Sequence, residues 1–102
     1  MSMTTAVVPT VNVVSDPRSG EILTADAGTY LQLRFARKGI ALSEWRIADR
    51  PGHLLPIEEG DHVFTFLVFG DEAPQPLRLA RYRGDRVEPS EERELFVVPA
   101  QR

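Results

Sequence analysis

Gly60-Asp61-His62-Val63-Phe64-Thr65-Phe66-Leu67-Val68-Phe69 is the densest block of β-branched and aromatic residues in the chain. A Gly-Asp pair opens it and Gly70-Asp71 closes it, so the block reads as one long strand held between turns. Side chains alternate across a strand. Phe64, Phe66 and Val68 therefore share one face, and Val63, Leu67 and Phe69 share the other. Few polar residues interrupt either face, so both are expected to be at least partly covered. The other segments should pack around this strand.

Upstream, Leu54–Ile57 reads as a short strand that reaches the block through the turn Glu58-Glu59-Gly60-Asp61. Arg50-Pro51-Gly52-His53 has Pro and Gly in the order a type II turn favours. Leu42–Ala48 holds another strand, with Trp45 and Ile47 on one face against Glu44, Arg46 and Ala48. Thr29–Phe35 alternates cleanly, Leu31, Leu33 and Phe35 against Tyr30, Gln32 and Arg34, which predicts a half-buried strand. The stretch between these two, Ala36–Ser43, reads as a loop of apolar character. Glu21–Leu23 is a short strand candidate after the turn cluster Asp16-Pro17-Arg18-Ser19-Gly20. Val7–Val14 is β-branched around Pro9, which cannot donate to a ladder, so an edge strand is expected there.

Downstream, Gln75–Tyr82 places Leu77 and Leu79 inward and Arg78, Ala80 and Tyr82 outward, with Arg81 on the leucine face. The charged stretch Arg83–Arg93, with Gly84 and Pro89, is expected to be a loop, and Glu94–Pro99 the last strand. Nothing sustains a helical period over three turns, and there are no repeats. The fold class is therefore all-β: an immunoglobulin-like antiparallel β-sandwich of seven or eight short strands, with a small open barrel as the alternative. Residues 1–6 are expected to be disordered, 7–99 to form one domain, and 100–102 to be a tail.

Composition narrows the function classes. The chain has 102 residues, 42% hydrophobic and 26% charged, as in ordinary globular domains. Zero cysteines exclude disulfides, thiolate metal sites and a cysteine nucleophile. A net charge of −3 gives no general attraction to nucleic acid or anionic lipid. No apolar run approaches the length of a spanning helix. The first residues lack a basic and apolar secretory leader, so the expectation is a cytoplasmic protein, or an exported one whose signal has been removed.

The motifs that carry chemistry are missing. No nucleophile elbow, phosphate-cradling glycine loop or dinucleotide fingerprint occurs, so no enzyme and no cofactor is expected. His53 and His62 have no metal-ligand spacing and read as isolated surface or rim histidines. Glu58, Glu59 and Asp61 lack the oxygen spacing of a calcium loop, so no metal is expected. Arg78, Arg81, Arg83 and Arg86 surround Tyr82, but Glu88, Glu91, Glu92 and Glu94 follow. A hairpin would pair the two sets and neutralise them, so no nucleic-acid partner is expected. Arg83-Gly84-Asp85 spells the integrin-binding tripeptide, and reads more simply as a glycine turn between solvated charges.

From Gly28 onward the layout resembles the chagasin-type inhibitors of papain-like cysteine proteases. The resemblance rests on Leu33-Arg34-Phe35 leading through a loop to Trp45, on Gly60-Asp61-His62-Val63-Phe64, on Arg83 after a strand, and on the closing strand Glu94-Leu95-Phe96-Val97-Val98. It implies an immunoglobulin-like sandwich that offers three loops from one end to a protein. The inhibitory loop motifs are not retained. Lys38-Gly39-Ile40-Ala41-Leu42 stands where the family has Asn-Pro-Thr-Thr-Gly, and Gly84-Asp85 stands where it has Pro-Trp. The expected role is a non-enzymatic protein-binding module, acting as a monomer or weak homo-oligomer with an unknown protein partner. Its binding residues would be Arg37, Lys38, Gly39, Ile40, Ala41 and Leu42 in the first loop, Glu59, Gly60 and Asp61 in the second, and Arg83, Gly84 and Asp85 in the third. The alternatives are a diverged cysteine protease inhibitor and an assembly protein that pairs through its sheet edges.

Overall fold

A computed structural model describes residues 10–37, 42–70, 75–84 and 86–99. Every regular element among them is a strand: β1 (Val11–Ser15), β2 (Ile22–Thr24), β3 (Tyr30–Arg34), β4 (Ser43–Asp49), β5 (Leu54–Glu59), β6 (Val63–Val68), β7 (Leu77–Arg83) and β8 (Glu91–Val98). They form two four-stranded sheets, ordered β1-β3-β6-β5 and β2-β8-β7-β4. This is an immunoglobulin-like β-sandwich.

β6 takes an interior place in its sheet, paired to β3 on one side and β5 on the other. Its alternation is the one the residues dictate. Phe64, Phe66 and Val68 are buried in the core, and Val63, Thr65 and Leu67 are half-buried on the outer face. Phe69, on that outer face, is 56% exposed. Opposite β6, the second sheet contributes Leu23, Trp45, Leu77, Leu79, Leu95 and Val97 to the same core.

The sandwich is not wholly antiparallel. β1 runs parallel to β3, and β2 runs parallel to β8. The cause lies in the turn cluster between them, which hands the chain from one sheet to the other. Asp16 turns with φ at 47°, its N–H donates to Arg34 O at 2.6 Å, and Pro17 is fully buried. Aspartate is among the few side chains that tolerate this left-handed region. The edge strand occupies Val11–Ser15, and residues 7–9 lie outside the described residues.

Three local expectations need correction. The last strand starts at Glu91 rather than Glu94, so the charged loop is shorter than Arg83–Arg93. Charge alone predicted a loop there, but cross-strand pairing makes those residues good strand residues. Arg81 and Arg78 lie opposite Glu91 and Glu94, with ion pairs of 3.2 and 3.6 Å. The turn before β5 is displaced by one residue: Leu54 N–H donates to Pro51 O at 3.3 Å, and Gly52 does not have a positive φ. Pro51 is fully buried, and so anchors the first corner of the turn. His53 is a core residue, not a rim residue. Its Nε2 lies 3.0 Å from Val97 O, and its carbonyl accepts from Phe69 N–H. Gly70 makes room for it, since a Cβ there would come within 3.0 Å of His53 Cβ.

No helix among the described residues is long and apolar enough to cross a membrane.

Candidate functional site

β3, β5 and β7 all run toward the same end of the sandwich, where the connections to β4, β6 and β8 begin. Backbone hydrogen bonds tie these connections together. Phe35 N–H donates to His62 O at 2.7 Å, and Trp45 N–H donates to Asp61 O at 2.8 Å, fastening the first loop to the second. Gly84 N–H donates to Leu42 O at 3.1 Å, fastening the third to the first. Gly84 has φ at 55°, a left-handed conformation that glycine adopts without steric cost. The second loop closes on itself through Gly60 N–H to Val63 O, at 2.8 Å.

Leu42, Ser43, Glu44, Asp61, Tyr82 and Gly84 enclose a shallow hollow of about 300 Å³, to which all three connections contribute. Leu42 projects beside it at 87% exposure. Next to two of these lining residues, Arg46 pairs with Glu44 and lies over the Tyr82 ring, 4.6 Å from the centroid. The hydrogen bond to Glu44 holds the Arg46 guanidinium above its ordinary pKa.

Of the residues expected to bind, Leu42, Asp61 and Gly84 meet around the hollow. Arg37, Glu59, Gly60 and Arg83 are exposed. Lys38, Gly39, Ile40, Ala41 and Asp85 lie outside the described residues. Tyr82 was not among the residues expected to bind, and Glu44 entered only as the last residue of the loop Ala36–Glu44. Both lie on strands, on the outward face of β4 and β7, where Glu44 pairs with Tyr82.

Beneath the loops lies a second feature that the charge pattern concealed. Trp45 is 3% exposed and stacks on Phe35 with centroids 4.3 Å apart and planes at 20°. Phe64 meets Phe35 edge-on at 6.0 Å. Arg93 enters this aromatic group from β8, with its guanidinium 4.8 Å from the Trp45 ring and 5.5 Å from Phe35. Its Nη1 donates to Asp16 Oδ1 at 2.8 Å and to Pro17 O at 2.7 Å, and its Nε donates to Glu91 Oε2 at 2.8 Å. Burial pulls the Arg93 pKa down, but the hydrogen bonds to Asp16 and Glu91 outweigh it, so the guanidinium stays above its ordinary value. Arg93 thus stays charged inside the sandwich and links the β1–β2 turn, β8 and the Trp45 platform. Trp45 Nε1 and Arg81 Nε are buried without a hydrogen-bond partner.

His53 and His62 stand at opposite ends of β6, one against Phe69 and the other against Phe35, and so cannot act as a pair. Among the described residues no three His, Asp or Glu side chains are grouped to hold a metal ion.

No protein-family model matches the chain, and no curated protein is similar to it in sequence. Among solved structures, the cysteine protease inhibitor EhICP2 of Entamoeba histolytica superposes over 88% of this chain and 95% of its own, with a TM-score of 0.51 at 9% identity. The likeness is one of fold alone, an all-β sandwich.

Proposed function

We propose that this chain is a non-enzymatic protein-binding module whose partner docks on the loop end, across Ala36–Glu44, Glu58–Asp61 and the β7–β8 connection. The observation that carries this reading is the set of backbone bonds among the loops, Trp45 to Asp61 and Gly84 to Leu42 above all. The described residues tied in this way form a pre-organised surface, which lowers the ordering cost of binding. Leu42 supplies an apolar knob, and Glu44, Asp61 and Arg83 supply a polar rim. Protein interfaces commonly combine a central apolar anchor with a rim of this kind.

The test is capture of a partner by the immobilised chain, compared with Leu42→Ser. Leu42 is almost fully exposed, so the substitution should change stability by no more than about 0.5 kcal/mol. Capture should fall about tenfold or more, as for loss of an interface anchor. Unchanged capture, or a large loss of stability, would count against the reading.

The fold shared with EhICP2 favours a second reading, inhibition of a cysteine protease through the same loops. Under it, papain activity falls in proportion to added chain. Full activity at micromolar chain would remove this reading and leave the first intact.

A further inference from the structure

Sheet edges expose unpaired N–H and C=O groups, and folded proteins commonly protect them with charges, prolines, bulges or very short strands. Three of the four edges here are protected in this way. β5 carries Pro56, an irregular register between Pro56 and Glu58, and the charges of Glu58 and Glu59. β4 carries Glu44, Arg46 and Asp49, with a shifted register between Ile47 and Asp49. β2 has only three residues.

β1 has none of these devices. Val11-Asn12-Val13-Val14-Ser15 is uncharged, contains no proline and keeps regular register with β3 over all five pairs. At its two ends Tyr30 N–H donates to Thr10 O and Asp16 N–H donates to Arg34 O. Backbone groups alternate in direction along a strand. The even-numbered residues therefore bond to β3, and Val11, Val13 and Ser15 turn their N–H and C=O groups to the open edge. The side chains of Val11 and Val13 are 50% and 49% exposed. They border an apolar row across the outer face, where Val11 pairs with Tyr30, Tyr30 with Leu67 and Leu67 with Leu55.

We infer that β1 is a self-association edge whose occupant is β1 of a second copy, antiparallel about a two-fold axis at Val13. In that register Val13 faces Val13 of the copy, and Val11 faces Ser15. The residues turned to the open edge become hydrogen-bonded pairs, so each outward N–H meets an outward C=O. No like charges face each other, and the contact is closed and self-complementary, as a two-fold interface requires. The apolar row of one copy continues into that of the other. This surface is distinct from the loop end and does not rest on the proposed partner docking.

Sedimentation velocity of the full chain across micromolar to millimolar concentration tests the inference. A monomer–dimer equilibrium is expected. Val13→Lys should weaken it by about tenfold or more, since like charges would meet on the axis. An equimolar mixture of Val13→Lys with Val13→Glu should restore association, which only Val13 facing Val13 explains. If neither variant folds, amide exchange of the unaltered chain decides, because Val13 N–H should gain protection as concentration rises. A chain that stays monomeric at millimolar concentration would overturn the inference. So would dimers unaffected by Val13→Lys, or Val13 exchange independent of concentration.

Discussion

Replacing Phe66 by alanine should lower the stability of the fold by about 3–5 kcal/mol, the usual cost of deleting a phenylalanine from a tight core. Phe66 has no exposed surface. It lies on the interior strand β6, opposite Leu31 of β3 and Pro56 of β5, so the walls around it belong to two neighbouring strands that cannot both collapse into the void. For a domain of this size the melting temperature should fall by more than about 12 °C. Small domains hold only about 5–15 kcal/mol in total, so partial unfolding at ambient temperature is within range. Phe69→Ala in the same stretch should change stability by less than about 1 kcal/mol, because Phe69 is 56% exposed. Urea denaturation of the two variants side by side checks the difference. Equal losses would mean that the inward face of β6 has been misassigned.

Arg93→Met should be the next most damaging change, at about 2–4 kcal/mol. Removing one partner of a buried ion pair costs about 3–5 kcal/mol when the other charge stays buried. Here Glu91 and Asp16 keep 30% and 41% of their side-chain surface, so water recovers part of that loss. Methionine replaces the aliphatic stem, so the loss reports the guanidinium. Its hydrogen bonds to Asp16, Pro17 and Glu91 and its position over Trp45 all disappear. Arg93→Lys should recover only part, because an ammonium cannot match a planar fork that bonds through both Nε and Nη1. Urea denaturation is again the measurement. A loss for Arg93→Met below about 0.5 kcal/mol would show that the network contributes no stability.

The fold was legible where alternation and turns agreed. Leu31 and Leu33 on β3, Phe64 and Phe66 on β6, and Leu77 and Leu79 on β7 all declare their buried face in the sequence, and all are buried. Charge misled the reading at β8. Glu91, Glu92 and Arg93 look like loop residues, yet Arg93 continues the inward parity of Leu95 and Val97. Following that parity upstream would have placed it in the core, on the same face as Glu91, which could satisfy it. His53 gave no such sign, because its burial depends on Val97 O and Gly70, both remote in sequence. At the loop end, the family resemblance indicated which loops converge. It could not indicate the strand residue Tyr82, which reaches the hollow because β7 pairs with β4 and sets Tyr82 opposite Glu44.

Partner binding is assigned here to the loop end. Its most direct test is partner affinity measured for Leu42→Ser and for Phe69→Ser, an exposed apolar residue at the opposite end of β6, after confirming that both variants melt like the unaltered chain. Loss of affinity with Leu42→Ser and full affinity with Phe69→Ser are expected. Full affinity with Leu42→Ser and loss with Phe69→Ser would contradict the assignment.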